Sequence, residues 1–314
     1  MDTIEFSHVS VLLPECIENL AVSPDGIYVD CTTGGGGHSY EIAKRLTGRG
    51  RLICIDRDTD ALCAAKRRLA DFEERIVFVH DNFCELETIL RSLQITGVDG
   101  ILMDLGVSSY QLDNAERGFS YMQDAPLDMR MDRTAKRTAY DVVNTYSKED
   151  LRRILFDFGE EKFAGNIAAN IVRRRKEKPI QSTLELADLI KDSMPKVARE
   201  GGHHPAKRSF QAIRIEVNSE LSAVATAVDA AIAALNPGGR LAIITFHSLE
   251  DRLVKQAFAA AATGCTCPKD FPVCVCGNQP KIRQVTRKPI TASNEELNIN
   301  PRARSAKLRV AEKL

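Results

Sequence analysis

The segment GIYVDCTTGGGGHS, residues 26–39, decides the fold. It opens with a short β-branched and aromatic run that reads as a strand covered on both faces, and the run stops at Asp30. Gly34 to Gly37 follow, and the residues after them are helical in composition. Glycines without Cβ atoms let backbone N–H groups approach a ligand closely, and a helix that starts directly after them adds a partial positive charge. Strand, glycine loop and helix in that order open a ligand-binding α/β sheet.

Outward from this segment the strand pattern repeats in RLICIDRD (51–58), RIVFVHD (75–81) and VDGILMDLG (98–106), with helical stretches over 39–47, 60–72 and 86–92. Strand–helix alternation of this kind implies right-handed crossovers and a parallel sheet. From about residue 113 to 212 the pattern is helical alone. In SKEDLRRILFDFGEEKF (147–163), Leu151, Ile154, Leu155 and Phe158 recur at helical spacing. Alternation resumes with an alanine-rich helix over 219–235, a turn NPGG (236–239), the strand RLAIITF (240–246), and two further strands, IRQVTR (282–287) and SAKLRVAE (305–312). The expected architecture is α/β: a doubly wound domain formed by residues 1–112 and 213–314, with a helical domain, 113–212, inserted after the fourth strand.

The 314 residues are 44% hydrophobic and 27% charged, which suits an ordinary globular chain and excludes wholesale disorder. Lys plus Arg balance Asp plus Glu at 43 each, so a polyanion site has to be a local patch. Two stretches qualify: Arg173, Arg174, Arg175 and Lys176 in RRRKEK, and the basic run 281–309 with Arg302 and Arg304. A charge run by itself is usually a solvated face. No apolar run approaches the ~18 residues of a membrane span, and the N-terminal stretch lacks a basic-then-apolar export signal. A cytoplasmic protein without membrane contact is the expectation.

Asp56 ends the second strand, where a carboxylate can accept hydrogen bonds from ribose hydroxyls. Asn82 and Phe83, after the third strand, are placed for an adenine, although phenylalanine is more often core. A dinucleotide fingerprint starting at Gly34 requires glycine or alanine at position 39, which is Ser39, and no Gly-Lys-Ser/Thr closes the loop as in a P-loop. NPGGRL before the fifth strand resembles the turn carried there by many S-adenosylmethionine-dependent methyltransferases. The balance favours S-adenosylmethionine over a nicotinamide cofactor. A nicotinamide-dependent oxidoreductase and a non-catalytic RNA-binding assembly factor remain the competing readings.

Several segments together resemble one family, the ribosomal RNA small-subunit methyltransferase H (MraW) family. They are HVSVLLPE (8–15), DCTTGGGGHS (30–39), IDRD (55–58), DLGVSSYQLDNAERGFSYMQDAPLDMRMD (104–132), FGEEKFA (158–164), SFQAIRIEVNSEL (209–221), GGRLAIITFHSLEDRLVK (238–255) and NPRARSAKLRVAE (300–312). The resemblance runs nearly end to end and departs at Tyr110, where relatives commonly have proline. It implies a Rossmann-like class I methyltransferase sheet with an inserted helical domain, a candidate RNA-binding lid. It further implies S-adenosylmethionine as cofactor and N4-methylation of a cytidine in the decoding region of small-subunit ribosomal RNA, free or in the assembled small subunit. Carried over by position, Gly36, Gly37 and His38 line the methionine end, Asp56 the ribose and Phe83 the adenine, and Asp104 and Gln111 complete the cofactor set.

Cytosine N4 is a poor nucleophile because its lone pair is delocalised, so the site must hold it in line with the methyl group and accept hydrogen bonds from it. Asp104, after the fourth strand, supplies an acceptor, but the Pro-Pro-aromatic sequence that many amino-methyltransferases carry next is replaced by Leu105-Gly106-Val107. Tyr110 or Phe246 are the aromatic alternatives for stacking. His247, after the fifth strand, is a second catalytic candidate, for orienting the base or accepting a proton, against an equally common structural role.

Nine cysteines in a long chain without an export signal read as thiols. Cys16, Cys31, Cys54, Cys63 and Cys84 lie among apolar residues and are expected to fill core. Cys265, Cys267, Cys274 and Cys276 form a Cys-x-Cys, Cys-x-Cys set that suits a structural zinc ion, with unpaired thiols or a reversible disulfide as competitors.

Overall fold

The computed structural model describes residues 10–199, 202, 204–268, 273 and 275–314. They form two compact units, Met1–Gly106 with Leu221–Leu314 and Val107–Glu220. The first unit holds a seven-stranded sheet in the order β3-β2-β1-β4-β5-β7-β6. Its strands are β1 Ile27–Asp30, β2 Arg51–Asp56, β3 Ile76–His80, β4 Val98–Asp104, β5 Leu235–Thr245, β6 Ile282–Gln284 and β7 Lys307–Lys313. β1 to β5 pair parallel, while β7 pairs antiparallel with both β5 and β6.

Alternation along each strand sends side chains to two cores, one per face. Val29, Ile53, Ile55, Ile101, Met103 and Ile243 pack against the helices Leu86–Ser92, Glu220–Ala234 and Ser248–Ala262. Their neighbours Tyr28, Leu52, Cys54, Leu102, Ala242 and Ile244 pack on the other face against Leu13–Leu20, Gly37–Ala43 and Thr59–Arg68. Each fully buried Leu, Ile or Val contributes about 1.5–3 kcal/mol. With both faces covered, the C-terminal edge of the parallel strands is the place left for chemistry.

The segment NPGG is not a separate turn. β5 runs through it, and the register against β4 shifts between Val98↔Leu235 and Gly100↔Arg240, leaving the intervening residues as a bulge. Gly238 takes φ +82°, and Asn236 Nδ2 donates to Asp99 Oδ1 at 2.9 Å, which anchors the excursion. A bulge accommodates Pro237, which has no N–H for a ladder bond. Cys63 also departs from expectation. Ala61, Leu62, Ala64 and Ala65 fill the buried face of Thr59–Arg68, so helical periodicity turns Cys63 outward, and it is exposed. Cys84 is half-buried, whereas Cys16, Cys31 and Cys54 are core residues.

The second unit is helical, and its helices include Ala139–Thr145, Lys148–Asp157, Ala164–Glu177, Thr183–Asp192 and Lys207–Asn218. Leu151, Ile154, Leu155, Ile167, Ile171, Leu186, Ile190 and Ile213 form its core. Side chains set several helix starts: Thr138 forms a capping box with Asp141, and Ser147 and Ser182 cap the helices that follow them. The buried Asn218 ties the connecting chain to the last helix, donating to Met129 O at 2.7 Å and accepting from Met131 N at 2.8 Å. The unit extends beyond residues 113–212 at both ends because its core also draws in Val107, Leu112 and Val217.

Packing around Gly100 provides a test of the sheet. A Cβ there meets the Tyr28 ring at 2.6 Å and Leu20 Cδ1 at 3.2 Å, and the Tyr28 hydroxyl is itself fixed by Ser23 N at 2.7 Å. Gly100→Ala is expected to lower unfolding stability by about 1–3 kcal/mol through overpacking, read as a lower urea midpoint with an unchanged slope.

Candidate active site

Three carboxylates close parallel strands at the same edge of the sheet: Asp30 on β1, Asp56 on β2 and Asp104 on β4. Their spacing follows from the pairings of Asp30 with Cys54 and Leu102, two residues short of the ends of both neighbouring strands. Asp30 is 1% exposed and lies beneath the glycine loop. The Ser39 hydroxyl donates to its Oδ2 at 2.6 Å, Thr32 N donates to Oδ1 at 3.1 Å, and the Cys54 thiol donates to Ser39 Oγ at 3.4 Å. Serine at position 39, the mismatch to a dinucleotide fingerprint, is therefore the residue that holds the loop's buried acid. Burial outweighs these donors and pushes the Asp30 carboxyl up to about 6.

The loop owes its path to two glycines in the left-handed region, Gly34 at φ +51° and Gly36 at φ +78°. A Cβ on Gly36 meets the Ala65 backbone at 3.3 Å, and one on Gly37 collides with the Ser10 side chain. Gly34 N donates to Asp56 Oδ2 at 2.7 Å and Asp58 N donates to Oδ1 at 2.9 Å, so the loop and the end of β2 are locked together. Each Asp56 oxygen keeps a further acceptor position for a ligand hydroxyl. Burial raises Asp56 to about 6, against the lowering effect of those N–H groups.

Asp104 is the most perturbed of the three. Its side chain keeps a quarter of its surface open, while Oδ1 is sealed from solvent and has no hydrogen-bond partner among the described residues. Burial first, then Asp30 and Glu250, push this carboxyl from 3.8 to about 8. Its backbone N–H donates to Thr32 Oγ1 at 2.6 Å, joining β4 to the loop. His38 is buried, its Nε2 donates to Val11 O at 3.1 Å, and Nδ1 lies 3.8 Å from Asp104 Oδ2. An unpartnered buried acceptor beside an imidazole, in a cluster of strand-end acids, is the arrangement expected of a ligand or catalytic site rather than of packing.

The other expected site residues divide. Phe83 is 7% exposed and packs in the core with Val29, Ile53 and Leu86. Gln111 belongs to the second unit, where it accepts from Ser108 N at 3.0 Å in a capping box. His247 caps the helix Ser248–Ala262: its Nδ1 accepts from Glu250 N at 3.4 Å, and the buried Glu250 Oε2 accepts from Phe246 N at 2.9 Å and His247 N at 3.3 Å. His247 Nε2 lies 3.1 Å from Glu250 Oε1, off the line of a hydrogen bond. Sequence reading missed Glu250 and Ser39. The His-x-x-Glu spacing of a capping box was the signal for Glu250, whereas Ser39 had no local signal because its partner comes from β1.

Sheet order, the antiparallel β7, the glycine loop after β1 and the acid closing β2 define a Rossmann-like methyltransferase of class I. The model of the MraW methylase family matches residues 5–314, and the chain belongs to that family. The chain is 58% identical over 311 residues to the ribosomal RNA small subunit methyltransferase H of Lachnospira eligens, covering 99% of both. It is 56% identical over 311 residues to the protein of the same name from Clostridioides difficile, covering 99% of this chain and 100% of that one. Among solved structures, an rRNA methylase from Streptococcus thermophilus aligns with a TM-score of 0.44 and 13% identity over 98% of this chain and 99% of its own.

The raised Asp104 carboxyl makes stability depend on pH. The folded state keeps this proton up to about 8, whereas an unfolded carboxyl releases it near 3.8. Its contribution is therefore fully present below the lower value and is lost as pH rises toward the upper one. Asp104→Asn removes that dependence, so its urea midpoint should gain on the wild type between pH 5 and about pH 8, with the difference constant above that range.

Proposed function

We propose that this chain transfers the methyl group of S-adenosylmethionine to the N4 amine of a cytidine in the decoding region of small-subunit ribosomal RNA. Membership of the MraW methylase family, and relatives named ribosomal RNA small subunit methyltransferase H, support methylation of ribosomal RNA. The observation that carries the reading is Asp104 Oδ1, a buried acceptor without a partner among the described residues, at the edge of the sheet where ligands bind.

The residues fit the cofactor. Gly34 and Gly36 shape a loop with no side chains to fill it, and Asp56 retains acceptor capacity after binding Gly34 N and Asp58 N. Gly36, Gly37 and His38 would hold the methionine end, Asp56 the ribose hydroxyls, and Phe83 the adenine. When bound, S-adenosylmethionine supplies an electrophilic sulfonium methyl group. Asp104 does the work on the nucleophile. Its Oδ1 accepts a hydrogen bond from the cytosine amine, which localises the nitrogen lone pair, and the carboxylate takes the proton released as the N–CH₃ bond forms. Burial makes the ionised form a stronger base than an exposed carboxylate, and that form gains population as pH rises toward about 8. His247 positions the turn after β5 through Glu250.

RNA contact is assigned to the exposed cations. In RRRKEK, Arg175 donates to Val143 O at 2.7 Å and Tyr146 O at 2.6 Å, and Arg174 pairs with Glu185 at 3.1 Å, so only Arg173 and Lys176 of the four are exposed. In the later run Lys307 and Arg309 pair with Asp251 and Arg283 with Glu312. Lys281, Arg287, Lys288, Arg302 and Arg304 are exposed there.

Incubation of the protein with isotope-labelled S-adenosylmethionine and either small subunits or protein-free ribosomal RNA, followed by nucleoside mass spectrometry, tests the reaction. Label on N4-methylcytidine from the decoding region is expected. Label confined to a ring carbon or a ribose oxygen would overturn the assignment. In calorimetry, Asp56→Ala should weaken S-adenosylmethionine binding by about 1.5–3 kcal/mol through loss of charge-assisted hydrogen bonds, and unchanged affinity in a folded variant would remove Asp56 from the site. Arg302→Ala and Arg304→Ala should each weaken RNA binding and reduce its salt slope by about one, whereas Arg175→Ala should lower thermal stability instead.

A further inference from the structure

The segment that joins the helix Ser248–Ala262 to β6 carries Cys265, Cys267 and Cys276. Cys265 and Cys276 are exposed, and Val273 and Val275 are 70% and 74% exposed. Side chains that bury so little apolar surface do not by themselves offset the entropy of ordering a loop. The three sulfurs nevertheless converge, lying within 4.8 Å of one another, with Cys276 Sγ 3.7 Å from Cys265 Sγ. A tetrahedral zinc ion with Zn–S bonds of about 2.3 Å sets its sulfurs about 3.8 Å apart, whereas a disulfide brings them to about 2.05 Å.

Two backbone N–H groups are directed at this cluster. Thr266 N, between the cysteines of the first pair, donates to Cys276 Sγ at 3.3 Å, and Val275 N, beside Cys276, donates to Cys267 Sγ at 3.3 Å. Such N–H···S bonds serve as the outer shell of a thiolate metal site, orienting the ligands and spreading their charge. The feet of the segment are also joined: Asn278 Nδ2 donates to Thr263 O at 3.1 Å and Gly264 O at 2.8 Å, and Lys281 N donates to Ala261 O at 2.7 Å.

We propose that Cys265, Cys267 and Cys276 bind a structural zinc ion that staples this surface segment in place of a hydrophobic core. Three thiols release their protons to solvent and bind as thiolates, and no electron transfer is involved. Cys274, the remaining cysteine of the Cys-x-Cys set, lies outside the described residues. The site uses none of the groups assigned to methyl transfer, so the two readings stand or fall separately.

The test uses the full chain purified under reducing conditions without chelator. Elemental analysis should find zinc close to stoichiometric with the chain, and Cys265→Ser and Cys276→Ser should lose most of it. Cys63→Ser, at an exposed cysteine in a helix of the sheet unit, should retain it. Should the serine variants misfold, cobalt exchanged into the wild type provides an independent readout, with thiolate-to-cobalt charge-transfer bands expected. Wild-type protein that lacks both stoichiometric zinc and those bands would overturn the proposal. So would a thiol count showing Cys265 and Cys276 oxidised to a disulfide in the same preparation.

Discussion

The buried carboxylate of Asp30 is the constraint around which the site is built. An acid at the end of a central parallel strand, covered by a loop, is unfavourable unless donors reach it. Ser39 and Thr32 reach it from the loop and from the helix that follows. Those two bonds fix where the glycine loop turns back, and with it where Gly34 N meets Asp56 and where Thr32 meets the backbone of Asp104. The negative charge that remains has a second effect. Together with Glu250 and with burial, it raises the proton affinity of Asp104, the group left with an unpartnered oxygen. One structural anchor thus sets both the path of the glycine loop and the acid–base character of the neighbouring strand-end acid, Asp104.

A chain with no net charge can act on a polyanion only if its cations are distributed unevenly. The structure sorts them by partner. Arg174, Arg175, Lys307 and Arg309 are held by carbonyls or carboxylates and serve the fold. Arg173, Lys176, Lys281, Arg287, Lys288, Arg302 and Arg304 are exposed in runs where some of the other cations are paired. Charge density in the sequence overstates the exposed positive charge for this reason. Half of RRRKEK's first four residues hold helices together.

Much of the sheet was legible in the chain. β-Branched runs covered on both faces mark β1 to β4, and the strand-end positions of Asp30, Asp56 and Asp104 follow from where those runs stop. The leucine and isoleucine spacing of 147–158 marks a helix, and it is one. The reading failed where a residue's partner comes from a distant segment. NPGG looks like a turn because Pro and Gly favour turns, yet pairing of β5 with β4 on both sides of it makes it a bulge. Cys63 looks apolar by neighbourhood, yet helical rotation points it to solvent. His247 in the sequence is open to a catalytic or a structural reading, and the structure adds that it caps a helix.

The amino-acid order alone determined the α/β class, the glycine loop and the acids at the strand ends, because these depend on periodicity and on residues that punctuate a strand. Only the tertiary structure decided which acid is anchored, which is poised and which arginines are occupied. Those properties arise from burial and from hydrogen bonds between segments far apart in the chain, and neither quantity exists until the segments pack.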